Sequence, residues 1–192
     1  MKDSRIYIIS LMIIMLLVLL AGAKEIQQAK DFTLNDYNGK EYSLSDFQDS
    51  TAIVVMFIAT QCPVSNAYNE RMRDLANRYQ DKGIAFIGIN SNKQEPVEEV
   101  KEHSQKHEFG FPVLKDYNNV IADRFDAQVT PEIFVLNPEF KVLYHGRIDD
   151  SRRTDKVTTH DLQRTLDEIL TGKEVSQPLT KAFGCTIKRV DK

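Results

Sequence analysis

Short runs of apolar residues alternate along the chain with segments in which apolar residues recur every three or four positions. The uninterrupted run "AIVVMFIA" (Ala52 to Ala59) predicts a strand that is buried on both faces, and "IAFIGIN" (Ile84 to Asn90) predicts a second. Between them, apolar residues recur at helical spacing from Val64 to Tyr79, and Gly83 provides a stop signal. A strand, a helix and a strand in this order predict a parallel pair within one sheet.

The rest of the chain continues this alternation. A hairpin is predicted around Asn38-Gly39, because apolar and polar residues alternate on both sides of that dipeptide. The other predicted elements are a helix opened by Pro96, a strand at 111–114, a short helix at 118–125, strands at 132–137 and 141–148, a helix at 159–172 capped by Thr159, and a polar tail that carries Cys185. We therefore expect an α/β fold with a central mixed sheet, helices on both faces and an N-terminal β-hairpin extension.

Composition narrows the class of protein. The 192 residues provide room for one ordinary domain, and 42% apolar with 28% charged residues is typical of a globular chain. The net charge is −3 and no basic stripe is present, so nucleic acid is not expected as a partner.

The N-terminus differs in character from the rest. Residues 6–23 form an uncharged apolar run that ends in Ala21-Gly22-Ala23, the small-residue pattern that signal peptidases accept. The run is also just long enough to span a bilayer. Residues 1–23 are therefore predicted to be a signal peptide, with a membrane anchor as the alternative. In either case we expect residues 24–192 to form the folded domain outside the cytoplasm, periplasmic or secreted.

The chain has two cysteines, Cys62 and Cys185. Outside the cytoplasm a disulfide between them would persist, either as a structural bridge or as a redox pair, and their spacing alone does not decide between the two. Cys62 stands between a predicted buried strand and a predicted helix, and Pro63 suits the first turn of that helix. A thiol at this junction faces free backbone N–H groups, which favour the reactive thiolate.

The Cys-Pro motif after a buried strand, followed some distance later by "VTPEIFVLN", resembles the thioredoxin superfamily, and in particular exported redoxins of the AhpC/TSA type. The resemblance covers roughly residues 30–190. It implies a thioredoxin-like fold and thiol–disulfide oxidoreductase activity with Cys62 as the nucleophile. Pro131 matches the cis-proline that lies against the active-site cysteine, and it would shape the substrate groove together with Thr130 and Pro63.

One departure from this family concerns the second cysteine. Thioredoxin-type enzymes usually have C-x-x-C, but the fourth residue here is Ser65, whose hydroxyl could hydrogen-bond the thiolate. Thr60 is also expected to support the site. The resolving cysteine would then be Cys185, brought to Cys62 by a flexible tail.

A second departure concerns peroxide chemistry. Peroxiredoxins carry P-x-x-x-T/S-x-x-C, and Val55 and Ala59 occupy the proline and hydroxyl positions of that motif. Pro131 stands near the position of their peroxide-binding arginine. The hydroxyl and the guanidinium that polarise a peroxide are thus not at their expected positions. A thiol peroxidase that uses Cys62 is kept as the first alternative function. A non-enzymatic binding module with a structural Cys62–Cys185 bridge is the second.

The expected partners follow from the proposed chemistry. They are protein thiols or disulfides and a redox partner that recycles Cys62, with membrane anchoring through residues 6–23 under the anchor alternative. No cofactor is expected. No metal is expected either, because the second nearby cysteine that copper-handling proteins of related fold use is absent beside Cys62.

Overall fold

A computed structural model describes residues 28–191. The predicted signal peptide or anchor, residues 1–23, therefore lies outside the described residues. Within residues 28–191, no helix combines the length and the apolar character needed to cross a bilayer.

The elements follow the predicted order. The strands are β1 (Thr33–Asn35), β2 (Glu41–Ser43), β3 (Ala52–Phe57), β4 (Ile84–Asn90), β5 (Val113–Lys115), β6 (Val129–Thr130), β7 (Glu132–Leu136), β8 (Val142–Gly146) and β9 (Cys185–Thr186). The helices are α1 (Pro63–Asn66), α2 (Asn69–Tyr79), α3 (Val97–Lys106), α4 (Val120–Arg124) and α5 (Asp161–Leu170).

A five-stranded mixed sheet in the order β5-β4-β3-β7-β8 forms the centre of the domain. Strands β3, β4 and β5 are parallel, whereas β7 runs antiparallel to both β3 and β8. All six residues of β3 are buried, because helices and loops cover both faces of the sheet. The predicted mixed sheet is confirmed.

Successive residues of β3 point to opposite faces and so divide the core in two. Ala52, Val54 and Met56 pack with the apolar residues of α2 and α5, among them Met72 and Leu166. The alternate residues of β3 pack on the other face and form a second core. It includes residues from the N-terminal segment, the α4 region and the C-terminal tail, namely Phe32, Leu44, Ile121, Phe125 and Ile187.

The N-terminal hairpin is confirmed. Strands β1 and β2 pair antiparallel, and Gly39 in the turn has a φ of 81°, a conformation that glycine adopts without a steric penalty. Leu44, which directly follows β2, is fully buried and ties the hairpin to the second core.

The helix predicted from Val64 to Tyr79 is broken into α1 and α2. The guanidinium of Arg71 donates to the Ala67 carbonyl oxygen at 3.0 Å, and a side chain on a helical carbonyl is a known cause of such breaks. Between the two helices, Tyr68 is buried and its hydroxyl donates to Asp149 at 2.8 Å. The break therefore coincides with a residue that is fixed by contacts outside the helix.

The predicted capping residue of the last helix is also wrong. His160, not Thr159, is the N-cap of α5, and it makes no capping hydrogen bond through its side chain. The Thr159 hydroxyl donates instead to the Asp161 carboxylate at 3.2 Å. The Asp161 carboxylate also forms ion pairs with Arg147 and Arg164. The Thr159 hydroxyl belongs to this cluster and does not cap the helix.

The C-terminal tail is docked, which contradicts the prediction of a flexible tail. Strand β9 pairs antiparallel with β6, and the Ile187 side chain is 3% exposed within the second core. Two buried amide side chains hold the tail backbone further on. The Oδ1 of Asn92 accepts from the Lys188 N–H and the Oδ1 of Asn119 accepts from the Val190 N–H, both at 2.7 Å.

We expect Ile187→Ala to loosen the tail without unfolding the sheet. Truncating a buried isoleucine lowers the free energy of unfolding by about 2–5 kcal/mol. Because the tail can detach without unfolding the sheet, the sheet itself loses no more stability than the docked tail contributes. Hydrogen exchange should show reduced protection at Ile187 and Lys188 and little change in β3. Val190→Ala, at a partly exposed position, is the matched control. Equal loss of protection in β3 and in the tail would contradict local docking.

Candidate functional site

Cys62 lies after β3 and directly before the first helix, α1. It is the N-cap of α1, with extended backbone angles, and Pro63 follows at the first helical position. Proline is favoured there because the missing N–H would have no intrahelical partner in any case. The Ser65 N–H donates to the Cys62 sulfur at 3.3 Å, so the helix start supplies a hydrogen bond to this thiol.

The Thr130–Pro131 peptide bond lies against this thiol. The bond is cis, as expected, and it connects β6 to β7. The Cys62 thiol donates to the Thr130 carbonyl oxygen at 3.3 Å. The conformation of the loop between β6 and β7 therefore brings Pro131 and Cys62 to one place in the fold.

The tail brings the second cysteine to the same carbonyl. Cys185 is paired opposite Thr130 in the β6–β9 ladder, and its side chain is close enough to the Cys62 sulfur to lower the pKa of Cys62. Both thiols are free. Cys62 is only 4% exposed, whereas Cys185 is partly exposed. The two cysteines are thus neighbours despite their separation along the chain.

The environment makes the two thiols unequal. Burial raises the pKa of Cys62, but hydrogen bonds to its sulfur from the Cys185 side chain and the Ser65 N–H outweigh burial, so the pKa is lowered overall. Burial raises the pKa of Cys185, and the neighbouring Cys62 sulfur raises it further. Cys62 is therefore the more acidic thiol of the pair, and Cys185 is the less acidic one.

Close passage of the tail depends on Gly184. A Cβ atom at this position would overlap the Thr130 carbonyl oxygen, far inside van der Waals contact. Glycine lets the backbone of the tail approach the cis-proline loop, and no other residue fits without displacing one of them.

The Ser65 hydroxyl is placed differently from the prediction, and Thr60 contacts two glutamates. The Ser65 hydroxyl oxygen accepts from the Ala59 N–H at 3.1 Å, so Ser65 contacts the Cys62 sulfur through its backbone and not through its hydroxyl. The Thr60 N–H donates to Glu95 at 3.0 Å and its hydroxyl donates to Glu99. Both side chains stabilise the loop around Cys62 and do not bond the thiol.

Sequence reasoning missed a buried carboxylate beneath this loop. Glu95 is fully buried, and its carboxylate accepts from the N–H groups of Thr60 and Gln61, both at 3.0 Å, and from the Asn92 amide at 2.9 Å. Lys115 is 5% exposed and donates to the Glu95 carbonyl oxygen at 2.7 Å. A glutamate in a polar segment looks like a surface residue in the sequence, so no local signal identified it.

A second missed residue follows the cis-proline directly. Glu132 is 4% exposed, accepts from the N–H groups of Gln128 and Val129 at 2.7 and 3.0 Å, and pairs with His145 at 2.7 Å. These bonds fix the segment that leads into β6. The charged residue at the start of an otherwise apolar strand, "EIFVL", was the available signal.

Within residues 28–191, His, Cys, Asp and Glu side chains form no group of three or more that could hold a metal ion.

Comparison with known proteins gives a family and several relatives. The AhpC/TSA family model matches residues 26–145. Thiol-disulfide oxidoreductase ResA of Bacillus subtilis is 26% identical over 126 residues, which span 64% of this chain and 69% of that protein.

Two solved structures extend the comparison. A hypothetical protein from Sinorhizobium meliloti is 33% identical with a TM-score of 0.82, covering 89% of this chain and 97% of its own. The thioredoxin domain of a thiol-disulfide oxidoreductase from Bacteroides vulgatus is 20% identical with a TM-score of 0.56, covering 65% of this chain and 89% of its own, and it shows the fold alone.

The fold and the family match define a thioredoxin-like redoxin, a class of oxidoreductases. The chain belongs to the AhpC/TSA family. The family resemblance and the thioredoxin-like fold predicted from the sequence are thereby confirmed.

We expect the two thiols of the reduced protein to titrate separately. Cys62 should ionise at a lower pH than an ordinary cysteine, and Cys185 at a higher pH. Ultraviolet absorbance of the thiolate measures both steps. Cys185→Ala should raise the pKa of Cys62 because it removes a donor, whereas Cys185→Ser should raise it less because a hydroxyl can still donate. An unchanged Cys62 pKa in Cys185→Ala would contradict the pairing.

Proposed function

We propose that this chain is a thiol–disulfide oxidoreductase in which Cys62 is the nucleophile and Cys185 the resolving cysteine. The observation that carries the proposal is the pairing of Cys185 with Thr130, which holds the Cys185 thiol within reach of the Cys62 thiol. The name of its relative ResA, a thiol-disulfide oxidoreductase, supports the same activity.

The first step is attack by the Cys62 thiolate on a substrate disulfide. Its sulfur forms a new bond to one substrate sulfur, the substrate S–S bond breaks, and the other substrate sulfur leaves as a thiolate. The lowered pKa of Cys62 supports this role, because a larger fraction of the thiol is ionised at neutral pH.

The second step is attack by Cys185 on the Cys62 sulfur of the mixed disulfide. The Cys62 sulfur no longer raises the pKa of Cys185 once it is bound to substrate, so Cys185 loses its proton more readily than before. A Cys62–Cys185 disulfide forms and the second substrate thiol is released. The protein has then given two electrons to the substrate, and a thiol partner must reduce it again.

Three residues around the sulfur would contact the substrate. Pro131 has no N–H and lies in cis after Thr130, whose carbonyl oxygen faces the Cys62 thiol. Pro63 follows Cys62 directly at the first position of α1. We propose that these three residues form the wall against which a substrate disulfide aligns.

The proposed location rests on the sequence. Residues 1–23 would direct the chain out of the cytoplasm, as a cleaved signal peptide or a retained anchor, and residues 24–192 would form the redoxin domain there. Disulfide exchange is typical of such compartments. Substrates would be protein thiols or disulfides, and a separate redox partner would recycle Cys62.

We expect reduced protein to cleave a model disulfide, and the two serine variants to fail in different ways. Cys62→Ser should abolish turnover and form no adduct. Cys185→Ser should accumulate a mixed disulfide on Cys62, visible as an added substrate mass, with turnover greatly reduced. The two variants are matched controls because the chain has no third cysteine. Unchanged turnover in Cys185→Ser would contradict the resolving role.

We expect hydrogen peroxide to oxidise the reduced protein little faster than an ordinary thiol of low pKa. Peroxide reduction needs donors that stabilise the departing oxygen, and Ala59 and Pro131 stand where a hydroxyl and an arginine are expected. The guanidinium of Arg147 is bound to Asp161 at 2.7 Å. Stopped-flow oxidation measures the rate, and one far above that of a free thiolate would favour the peroxidase alternative.

A further inference from the structure

A cavity of about 230 Å³ lies beside α2, and the segment after β8 and the start of α5 complete its lining. Its apolar surface comes from Leu75, Ile148 and Val157. Ile148 is buried, and the other two are partly exposed. Cys62 and Cys185 are not among the lining residues, so the cavity is separate from the thiol site.

The two carboxylates that line the cavity already have cationic partners. Asp149 is 2% exposed, forms an ion pair with Arg71 at 2.5 Å and accepts a hydrogen bond from the Tyr68 hydroxyl. Asp74 accepts from the neighbouring Arg73 at 3.0 Å. Both negative charges are thus compensated within the protein, and neither requires a cation from a ligand.

Arg78 is a lining cation whose hydrogen-bonding partner is neutral. Its Nη1 donates to the Gln163 Oε1 at 3.1 Å, and its side chain is exposed. His160 is also exposed and lines the cavity as well. A guanidinium can donate two parallel hydrogen bonds to one carboxylate, and such charge-assisted bonds are stronger than neutral ones. The cavity therefore combines an apolar surface with donors for an anion.

The volume of the cavity limits the size of its ligand. An apolar cavity of about 150 Å³ accommodates a benzene ring, so this cavity has room for a ring and a short chain. Small-molecule sites are mostly apolar, with a few polar groups that fix orientation. A larger cavity, of about 500 Å³ along α5, does not meet this requirement, because its lining side chains include none that is aliphatic.

We propose that the cavity between α2 and the segment after β8 binds a small amphipathic carboxylate. The apolar body of the ligand lies on Leu75, Ile148 and Val157. Its carboxylate accepts from the Arg78 guanidinium, and His160 is the second donor. The site contains neither cysteine and requires no redox step, so this inference does not depend on the proposed exchange activity.

The test uses three probes that share one apolar body and differ in the head group: 4-phenylbutanoate, 4-phenylbutanol and 4-phenylbutylammonium. Each is titrated into full-length protein with labelled methyl groups, and NMR follows the methyl signals of Leu75, Ile148 and Val157. The methyl signals of Ile187, which lies in the second core, are the reference. This measurement reports binding at the cavity and not elsewhere on the chain.

We expect 4-phenylbutanoate to shift the three cavity methyl signals saturably, with a dissociation constant on the order of 1 mM, as its small size dictates. It should bind at least about fivefold more tightly than 4-phenylbutylammonium, because the uncompensated charge at the cavity is positive. The Ile187 signals should not move.

Two variants test the assigned contacts separately. Arg78→Gln should weaken 4-phenylbutanoate at least about fivefold and leave 4-phenylbutanol unchanged, because only the charge-assisted bonds are lost. Val157→Ala should weaken both probes, because it removes part of the apolar surface. Arg124→Gln is the matched control, since this arginine is also exposed but belongs to α4, which packs on the opposite face of the sheet.

Three results would overturn the inference. The first is the absence of a saturable shift at the cavity methyl groups with 4-phenylbutanoate. The second is binding of the ammonium probe as tightly as the carboxylate probe. The third is an equal affinity for 4-phenylbutanoate in Arg78→Gln and in the Arg124→Gln control.

Discussion

The carbonyl oxygen of Thr130 is the group on which the arrangement of this site depends. It accepts a hydrogen bond from the Cys62 thiol at 3.3 Å, and Cys185 is paired opposite Thr130 in the β6–β9 ladder. Gly184 passes this oxygen so closely that a Cβ atom would overlap it. Thr130 ends β6, and a cis bond joins it to Pro131, which leads into β7. One peptide group thus positions both thiols, and displacing it would separate them.

Buried carboxylates keep the surroundings of this peptide group fixed. Glu132 binds the backbone leading into β6, and Glu95 binds the backbone of the loop before Cys62. A buried carboxylate is costly unless it is fully hydrogen-bonded, and both have several N–H donors. Asn92 connects the second of these carboxylates to the tail, because its amide donates to Glu95 while its carbonyl oxygen accepts from Lys188. The loop that carries Cys62 and the tail that carries Cys185 therefore share one buried network.

Local patterns were sufficient to predict most of the fold. Unbroken apolar runs identified β3 and β4, and the Asn38-Gly39 dipeptide identified the hairpin. The Cys-Pro and Thr-Pro motifs predicted a candidate site, and the fold brings these two motifs into contact. The docked tail was not predictable in this way. Strand β9 is two residues long, and the side chain that anchors it, Ile187, is a single apolar residue among polar ones. Its position depends on β6 and Asn92, which are remote in sequence. The contact predicted for the Ser65 hydroxyl was wrong for a related reason. This hydroxyl accepts from the Ala59 N–H, a contact that no local pattern indicates.

The central claim is that Cys62 and Cys185 form a reversible redox pair and not a permanent bridge. Closing a loop of this length would stabilise the folded protein by about 5 kcal/mol in the chain-entropy model under either interpretation, so stability cannot separate them. The reduction potential can. Protein equilibrated in glutathione buffers of known potential, then acid-quenched and peptide-mapped, gives the fraction of Cys62–Cys185 disulfide at each potential. The account predicts a midpoint above about −300 mV, in the range of exchange-active pairs. A midpoint below about −300 mV, or no disulfide between these two cysteines at any potential, would contradict it.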